Sequence, residues 1–109
     1  MPILLHKFGY VYIHSYTKQY QTGEKRVGEF SLAETDGHIL KVTLNRPDVL
    51  NALHRPASLE LEAVFDAFEA DDDLWLAIVT GAGERAFSVG NDLKYQAAGN
   101  DTTIPVSGF

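Results

Sequence analysis

Between Ile39 and Leu44 the chain alternates: Leu40, Val42 and Leu44 fall on one face, Lys41 and Thr43 on the other. A period of two marks a half-buried strand. A second strand-like stretch, Phe30-Ser31-Leu32-Ala33-Glu34, precedes it, with Thr35-Asp36-Gly37 between the two. Asp-Gly at such a junction is among the strongest short hairpin signals. Asn45-Arg46-Pro47 ends the second strand, since proline has no N–H to give to a ladder. The period then changes. Leu61, Val64, Phe65 and Phe68 recur at three- and four-residue spacing, which predicts a helix from about Arg55 or Pro56 to Ala70. Pro56 suits its first turn, where a missing N–H costs nothing. Leu74 to Val79 is a continuous apolar run, the pattern of a strand covered on both faces. Strand, helix, strand in this order predicts a right-handed crossover in a layered α/β domain.

Beyond that strand, Thr80-Gly81-Ala82-Gly83-Glu84 reads as a turn, and a short helix is expected from near Asn91 to Ala97 or Ala98. Gly99-Asn100 stops it, and Asp101 to Phe109 reads as loop. Residues 1–28 have a different texture. Phe8, Tyr10, Tyr12, His14 and Tyr16 alternate with Gly9, Val11, Ile13 and Ser15, which suits a strand, and Gln21 to Arg26 reads as a polar linker. Two readings of this stretch stand side by side, a partner-binding strand and an added extension. The expected division is therefore an N-terminal extension, 1–28, and a domain, 29–109.

With 109 residues and 45% hydrophobic content, the chain suits one folded domain with one core. It has no cysteine, which excludes disulfides, thiolate nucleophiles and Cys-based zinc sites. No apolar run approaches the roughly 20 residues of a membrane span. Met1 to Leu5 is too short for the apolar part of a secretion signal, and Lys7 follows it instead of preceding it. A cytoplasmic or organelle-matrix location is the expectation. The net charge of −6 is uneven: residues 1–28 carry four basic residues against one acidic, residues 29–109 five against fourteen. An acidic body argues against a general nucleic-acid surface.

Most chemistry-bearing residues have plainer explanations. Gly81-Ala82-Gly83 lacks the spacing of a dinucleotide fingerprint, and no Gly-Lys-Ser/Thr is present for a phosphate loop. His6, His14, His38 and His54 share no helical face, and each reads as a surface or loop residue. Asp71-Asp72-Asp73 reads as a solvated loop, because three consecutive carboxylates cannot all point at one metal ion. Ser88 has no evident His-acid partner. Asp92 reads as a helix cap. The best candidate is Gly90 to Lys94. Glycine admits a ligand close to the backbone, and amides at a helix start have no intrahelical acceptor.

Taken together, Ile39 to Pro47, Leu50-Asn51-Ala52-Leu53, Ile78-Val79-Thr80-Gly81 and Ala86-Phe87-Ser88-Val89-Gly90-Asn91-Asp92-Leu93-Lys94 resemble the N-terminal half of the crotonase superfamily, the enoyl-CoA hydratase/isomerase proteins. The resemblance covers residues 39–94 in order and spacing. It implies a truncated fold of repeated ββα units that binds an acyl-CoA thioester, with no cofactor beyond the coenzyme A of the substrate. It also implies trimeric or hexameric parents. Two backbone N–H groups would stabilise an enolate, the first from Asn91, with Gly90 opening the approach. Asn51, Ala52 and Leu53, with Val89, Asp92, Leu93 and Lys94, would line the acyl-CoA. Val89 stands where relatives often have a smaller residue, and Asp48 where they often have Lys near the phosphates.

The same resemblance places the second donor and the catalytic carboxylates further along than Phe109. Glu62, Glu69 and Glu84 match none of those positions. The expectation is therefore a chain nearly inactive alone in hydrating an enoyl-CoA or in a related enolate reaction. Its rivals are a noncatalytic acyl-CoA-binding or assembly module and an incomplete fragment.

Overall fold

The computed structural model describes residues 3–6 as backbone and residues 25–100 in full. Among them, five strands form one sheet: β1 (Ile3–His6), β2 (Lys25–Val27), β3 (Ser31–Asp36), β4 (Ile39–Leu44) and β5 (Leu76–Gly81), in spatial order β1-β5-β4-β3-β2. The pattern at 39–44 is realised as expected. Leu40, Val42 and Leu44 are buried, and Lys41 is exposed. The hairpin loop sits one residue later than the Asp-Gly signal suggests. Asp36 still pairs with Ile39, so the loop is Gly37 and His38 alone. Gly37 takes φ +58 and His38 does not go positive, the pattern of a type II′ turn with glycine at its first central position.

Helix α1 (Arg55–Ala70) carries the chain from β4 to β5, which pair in parallel with Val42 opposite Val79. Leu61 and Phe68 are buried against the sheet, while Val64 and Phe65 flank the core. Burying each of the two large side chains is worth about 1.5–3 kcal/mol. The sheet face under α1 is built from Ala33, Leu40, Val42, Leu44, Ala77 and Val79. The opposite face differs from expectation: Leu76 and Ile78 in β5 are only half-buried, and the preceding Trp75 is 56% exposed. The continuous apolar run of this strand is thus wrapped fully on one side only.

The N-terminal segment supplies both edges of the sheet. Strand β1 pairs antiparallel with β5 and β2 antiparallel with β3. Lys25 and Arg26, expected in a linker, are therefore strand residues. The aromatic alternation of residues 8–16 and the loop reading of 101–109 lie outside the described residues. Glu60 on α1 ties the entry of β3 to the helix, accepting from the N–H groups of Glu29 (2.8 Å) and Phe30 and from the Ser31 hydroxyl. Asp71 is no solvated loop residue. It is 2% exposed, and its carboxylate accepts from the Asp73 N–H, while Asp72 and Asp73 are exposed. No helix among the described residues is long and apolar enough to cross a membrane.

Candidate functional site

After β4 the chain makes a 3-10 turn, Pro47–Val49, and then places two consecutive non-glycine residues in the left-handed region, Leu50 at φ 54 and Asn51 at φ 55. Such residues cost backbone energy and persist where their surroundings over-determine them. At Asn51 the surroundings are visible. The side chain is 1% exposed, and every polar group on it is used. Its Oδ1 accepts from the Arg46 N–H (2.9 Å), and its Nδ2 donates to the carbonyls of Ala82 (3.0 Å) and Ala86 (3.2 Å). One buried amide thus joins the end of β4, the turn after β5 and the start of Ala86–Lys94. Gly81 makes room for it: a Cβ there would lie 2.7 Å from Asn51 Nδ2 and 2.3 Å from the Phe87 carbonyl oxygen.

Residues 50–53 and 88–92 then run side by side. Ser88 Oγ donates to the Asn51 carbonyl (2.7 Å), Val89 N–H to Leu50 O (3.2 Å), Leu53 N–H to Gly90 O (2.7 Å) and Asp92 N–H to Leu53 O (2.9 Å). The last two bonds make an isolated parallel bridge between Leu53 and Asn91. In such a bridge the bonded groups come from the neighbours of Asn91, so its own N–H points the other way. Gly90 N–H is taken by Ser88 Oγ (3.1 Å). Within 89–92, then, only the Asn91 N–H has no acceptor among the described residues. Gly90, at φ +86, has open space where a side chain would stand.

The free amide arises differently from the sequence expectation. Helix α2 (Leu93–Ala97) begins two residues after Asn91, and Asp92 is its N-cap, accepting from the Tyr95 N–H (3.0 Å). The cap reading of Asp92 holds. Asn91 lies before the helix, and a five-residue helix adds little dipole. Two residues to either side of Asn91 in sequence, Val89 (56% exposed) and Leu93 (72%) are exposed apolar residues, and Lys94 is exposed as well. Ala52 is buried, Leu53 is half-buried and Asp48 is exposed.

Two residues escaped the sequence reading. Arg46, noted only as a strand end, donates from Nη1 to the Ala52 carbonyl (2.5 Å) and to Asp92 Oδ2 (3.2 Å). The Tyr95 amide and then the Arg46 guanidinium hold the Asp92 carboxyl below its ordinary range, against the opposing effect of burial. His54, expected as a plain loop or surface residue, is the N-cap of α1, its Nδ1 accepting from Ala57 N–H (3.3 Å). Its ring meets Phe30 edge-on at 4.5 Å and Tyr95 at 5.1 Å. No spacing rule signals either contact.

Burial, then the nearby Arg46 charge, lowers the His54 pKa from 6.5. The unfolded chain then binds this proton more readily, so the contribution is full above about pH 6.5 and is lost as pH falls toward the folded value. Urea midpoints should therefore drop more steeply from pH 7 to pH 5 for the natural chain than for His54→Asn, which caps without titrating. Equal pH slopes would remove His54 as the cause.

Comparison with known proteins places this arrangement. The family model described as enoyl-CoA hydratase/isomerase matches residues 34–107. A carnitinyl-CoA dehydratase of Escherichia coli is 48% identical over 76 residues, covering 68% of this chain and 29% of that protein. An (E)-benzylidenesuccinyl-CoA hydratase of Thauera aromatica is 38% identical over 61 residues, 56% of this chain and 24% of that one. Among solved structures, a carnitinyl-CoA hydratase from Mycobacterium avium superposes with a TM-score of 0.63 at 29% identity, over 72% of this chain and 30% of that one. The α/β architecture is that of these crotonase-fold hydratases, and the chain belongs to the enoyl-CoA hydratase/isomerase family. It spans under a third of the length of these relatives.

Proposed function

We propose that this chain binds an acyl-CoA thioester and that the Asn91 backbone N–H hydrogen-bonds to the thioester carbonyl oxygen. The observation that carries this reading is the Asn91 amide, which alone within 89–92 has no acceptor among the described residues and is held between neighbours whose own amides are taken. The open space at Gly90 lets a carbonyl approach, and Val89 and Leu93 offer apolar surface to the thioester's carbon chain. Leu53, half-buried, adjoins Asn91 across the bridge, while buried Asn51 and Ala52 act through the backbone they hold. Exposed Lys94 is assigned to the charged end of coenzyme A, and the reading needs no separate cofactor.

In the hydration of an enoyl-CoA, a nucleophile adds at the β-carbon and negative charge gathers on the thioester oxygen. A donor fixed in advance strengthens its hydrogen bond as that charge grows, which lowers the barrier. The reading gives this chain one such donor. The family resemblance calls for a second donor and acid–base carboxylates as well, and Glu62, Glu69 and Glu84 match none of their positions. Binding and polarisation of a thioester are therefore the activities assigned to these residues, and turnover to the complete site. Supporting it, the relatives with printed activities are named as acting on acyl-CoA thioesters.

The test compares Asn91→Ala, which keeps the N–H, with Asn91→Pro, which removes it without breaking any hydrogen bond among the described residues. Butyryl-CoA carrying carbon-13 at the thioester carbonyl is bound to each, and the carbonyl stretch is read by infrared difference. The natural chain and Asn91→Ala should lower the stretch alike, and Asn91→Pro should leave it near its value in water. In an assembly that turns over an enoyl-CoA, the proline variant should lose about 10²–10³ in kcat, the effect of removing one such donor elsewhere. Equal behaviour of the two variants would sink the assignment.

A further inference from the structure

The direction of the Asn91 amide depends on how firmly residues 90–92 are pinned to the Leu50–Leu53 loop. Two backbone bonds of the Leu53–Asn91 bridge do part of this. The Ser88–Asn51 and Val89–Leu50 bonds hold the residues just before them. On the other side of Asn91 in sequence, a further tie comes from Arg46. Its guanidinium reaches Ala52, the residue before Leu53, and Asp92, the residue after Asn91, so it links the two segments that the bridge joins. The ion pair is well shielded, with 18% of the Arg46 side chain and 12% of the Asp92 side chain exposed.

Arg46 is itself immobilised at both ends. Its N–H donates to Asn51 Oδ1, its carbonyl accepts from the N–H groups of Asn51 (2.8 Å) and Val49 (3.1 Å), and its guanidinium carbon sits 5.7 Å from the centre of the Phe30 ring. An exposed ion pair contributes little, but a shielded pair that also satisfies a carbonyl fixes geometry as well as energy. Lysine cannot reproduce the planar fork or the contact with the ring.

From this we infer that Arg46 is a positioning residue: without touching the acyl-CoA, it fixes the direction of the Asn91 N–H and so the degree to which the thioester carbonyl is polarised. The inference rests on the proposed function, and its test separates the two. The same labelled butyryl-CoA is bound at saturation to the full chain and to Arg46→Gln, Arg46→Lys and Asp92→Asn. Asparagine caps a helix about as well as aspartate, so Asp92→Asn keeps the Tyr95 bond and loses the ion pair.

Arg46→Gln and Asp92→Asn should each lose roughly half or more of the carbonyl shift, while affinity changes by no more than about tenfold, the weight of one hydrogen bond. Arg46→Lys should restore part of the shift by keeping the pair with Asp92. Melting curves run alongside, and if Arg46→Gln does not fold, Asp92→Asn carries the test. A lowered melting temperature with an unchanged carbonyl shift in both variants would reduce Arg46 to a structural residue and overturn the inference. If the natural chain itself produces no shift, the Asn91 reading falls and this inference with it. If Asn91→Pro abolishes a shift that Arg46→Gln and Asp92→Asn retain, only the positioning role falls.

Discussion

Asn51→Ala is expected to cost the domain about 3–5 kcal/mol, a large part of the roughly 5–15 kcal/mol that keeps a typical domain folded. Three hydrogen bonds go at once, leaving the Arg46 N–H and the carbonyls of Ala82 and Ala86 without the side chain that served them. Buried polar groups stripped of a partner cost about 1–3 kcal/mol each before relaxation. The backbone adds to the loss. Asparagine tolerates φ 55 better than alanine, whose Cβ has no polar group to offset the strain.

Two further substitutions divide these effects. Asn51→Gly relieves the strain but not the missing bonds, so it should recover only the smaller part of the loss. Asn51→Asp keeps an acceptor for Arg46 N–H, but sets an oxygen against two carbonyl oxygens, and should remain strongly destabilising. Urea denaturation measures all three, and an Asn51→Ala midpoint equal to that of the natural chain would show that the loops hold without this amide.

How much of this was legible in the sequence follows from the kind of signal each feature leaves. Leu40, Val42 and Leu44 announce their strand by period, as Leu61 and Phe68 announce α1, because burial on one face repeats along the chain. The half-covered face of β5 left no such trace. A run of apolar residues reports that neither face is polar, and says nothing of which face is covered. A family motif and a helix-end argument point to Asn91, yet its amide lacks an acceptor among the described residues because of a bridge to Leu53, 38 residues earlier in number. Arg46 and Asp92 lie 46 positions apart, beyond any local pattern. Asn51 is the sharpest case. Its identity stood within a recognisable Asn-Ala-Leu motif, but the need for asparagine arises from a left-handed backbone and three partners in three segments.

Gly81→Ala should be at least as damaging, for a reason that glycine's conformational freedom does not supply, since its φ is not positive. The added Cβ would lie 2.3 Å from the Phe87 carbonyl oxygen, 2.9 Å from that of Ala86 and 2.7 Å from Asn51 Nδ2. Two of these three are backbone atoms, so no rotamer change relieves the contact, and residues 86–87 have to move off β5. That movement stretches the Asn51 to Ala86 hydrogen bond and carries the chain leading to Val89–Asp92 with it. Overpacking commonly costs about 1–3 kcal/mol, and a clash with fixed backbone belongs at or above the top of that range. Gly90→Ala provides the contrast. Its φ of +86 strains an alanine, but the space around it is open, so the cost should be about 1–2 kcal/mol with the loops left in place. In the thioester experiment Gly81→Ala should lose carbonyl polarisation together with stability, although it lies on the strand and Gly90 beside the amide. A Gly81→Ala chain with natural stability and an unchanged carbonyl shift would mean that close packing of β5 against residues 86–87 does not set the site.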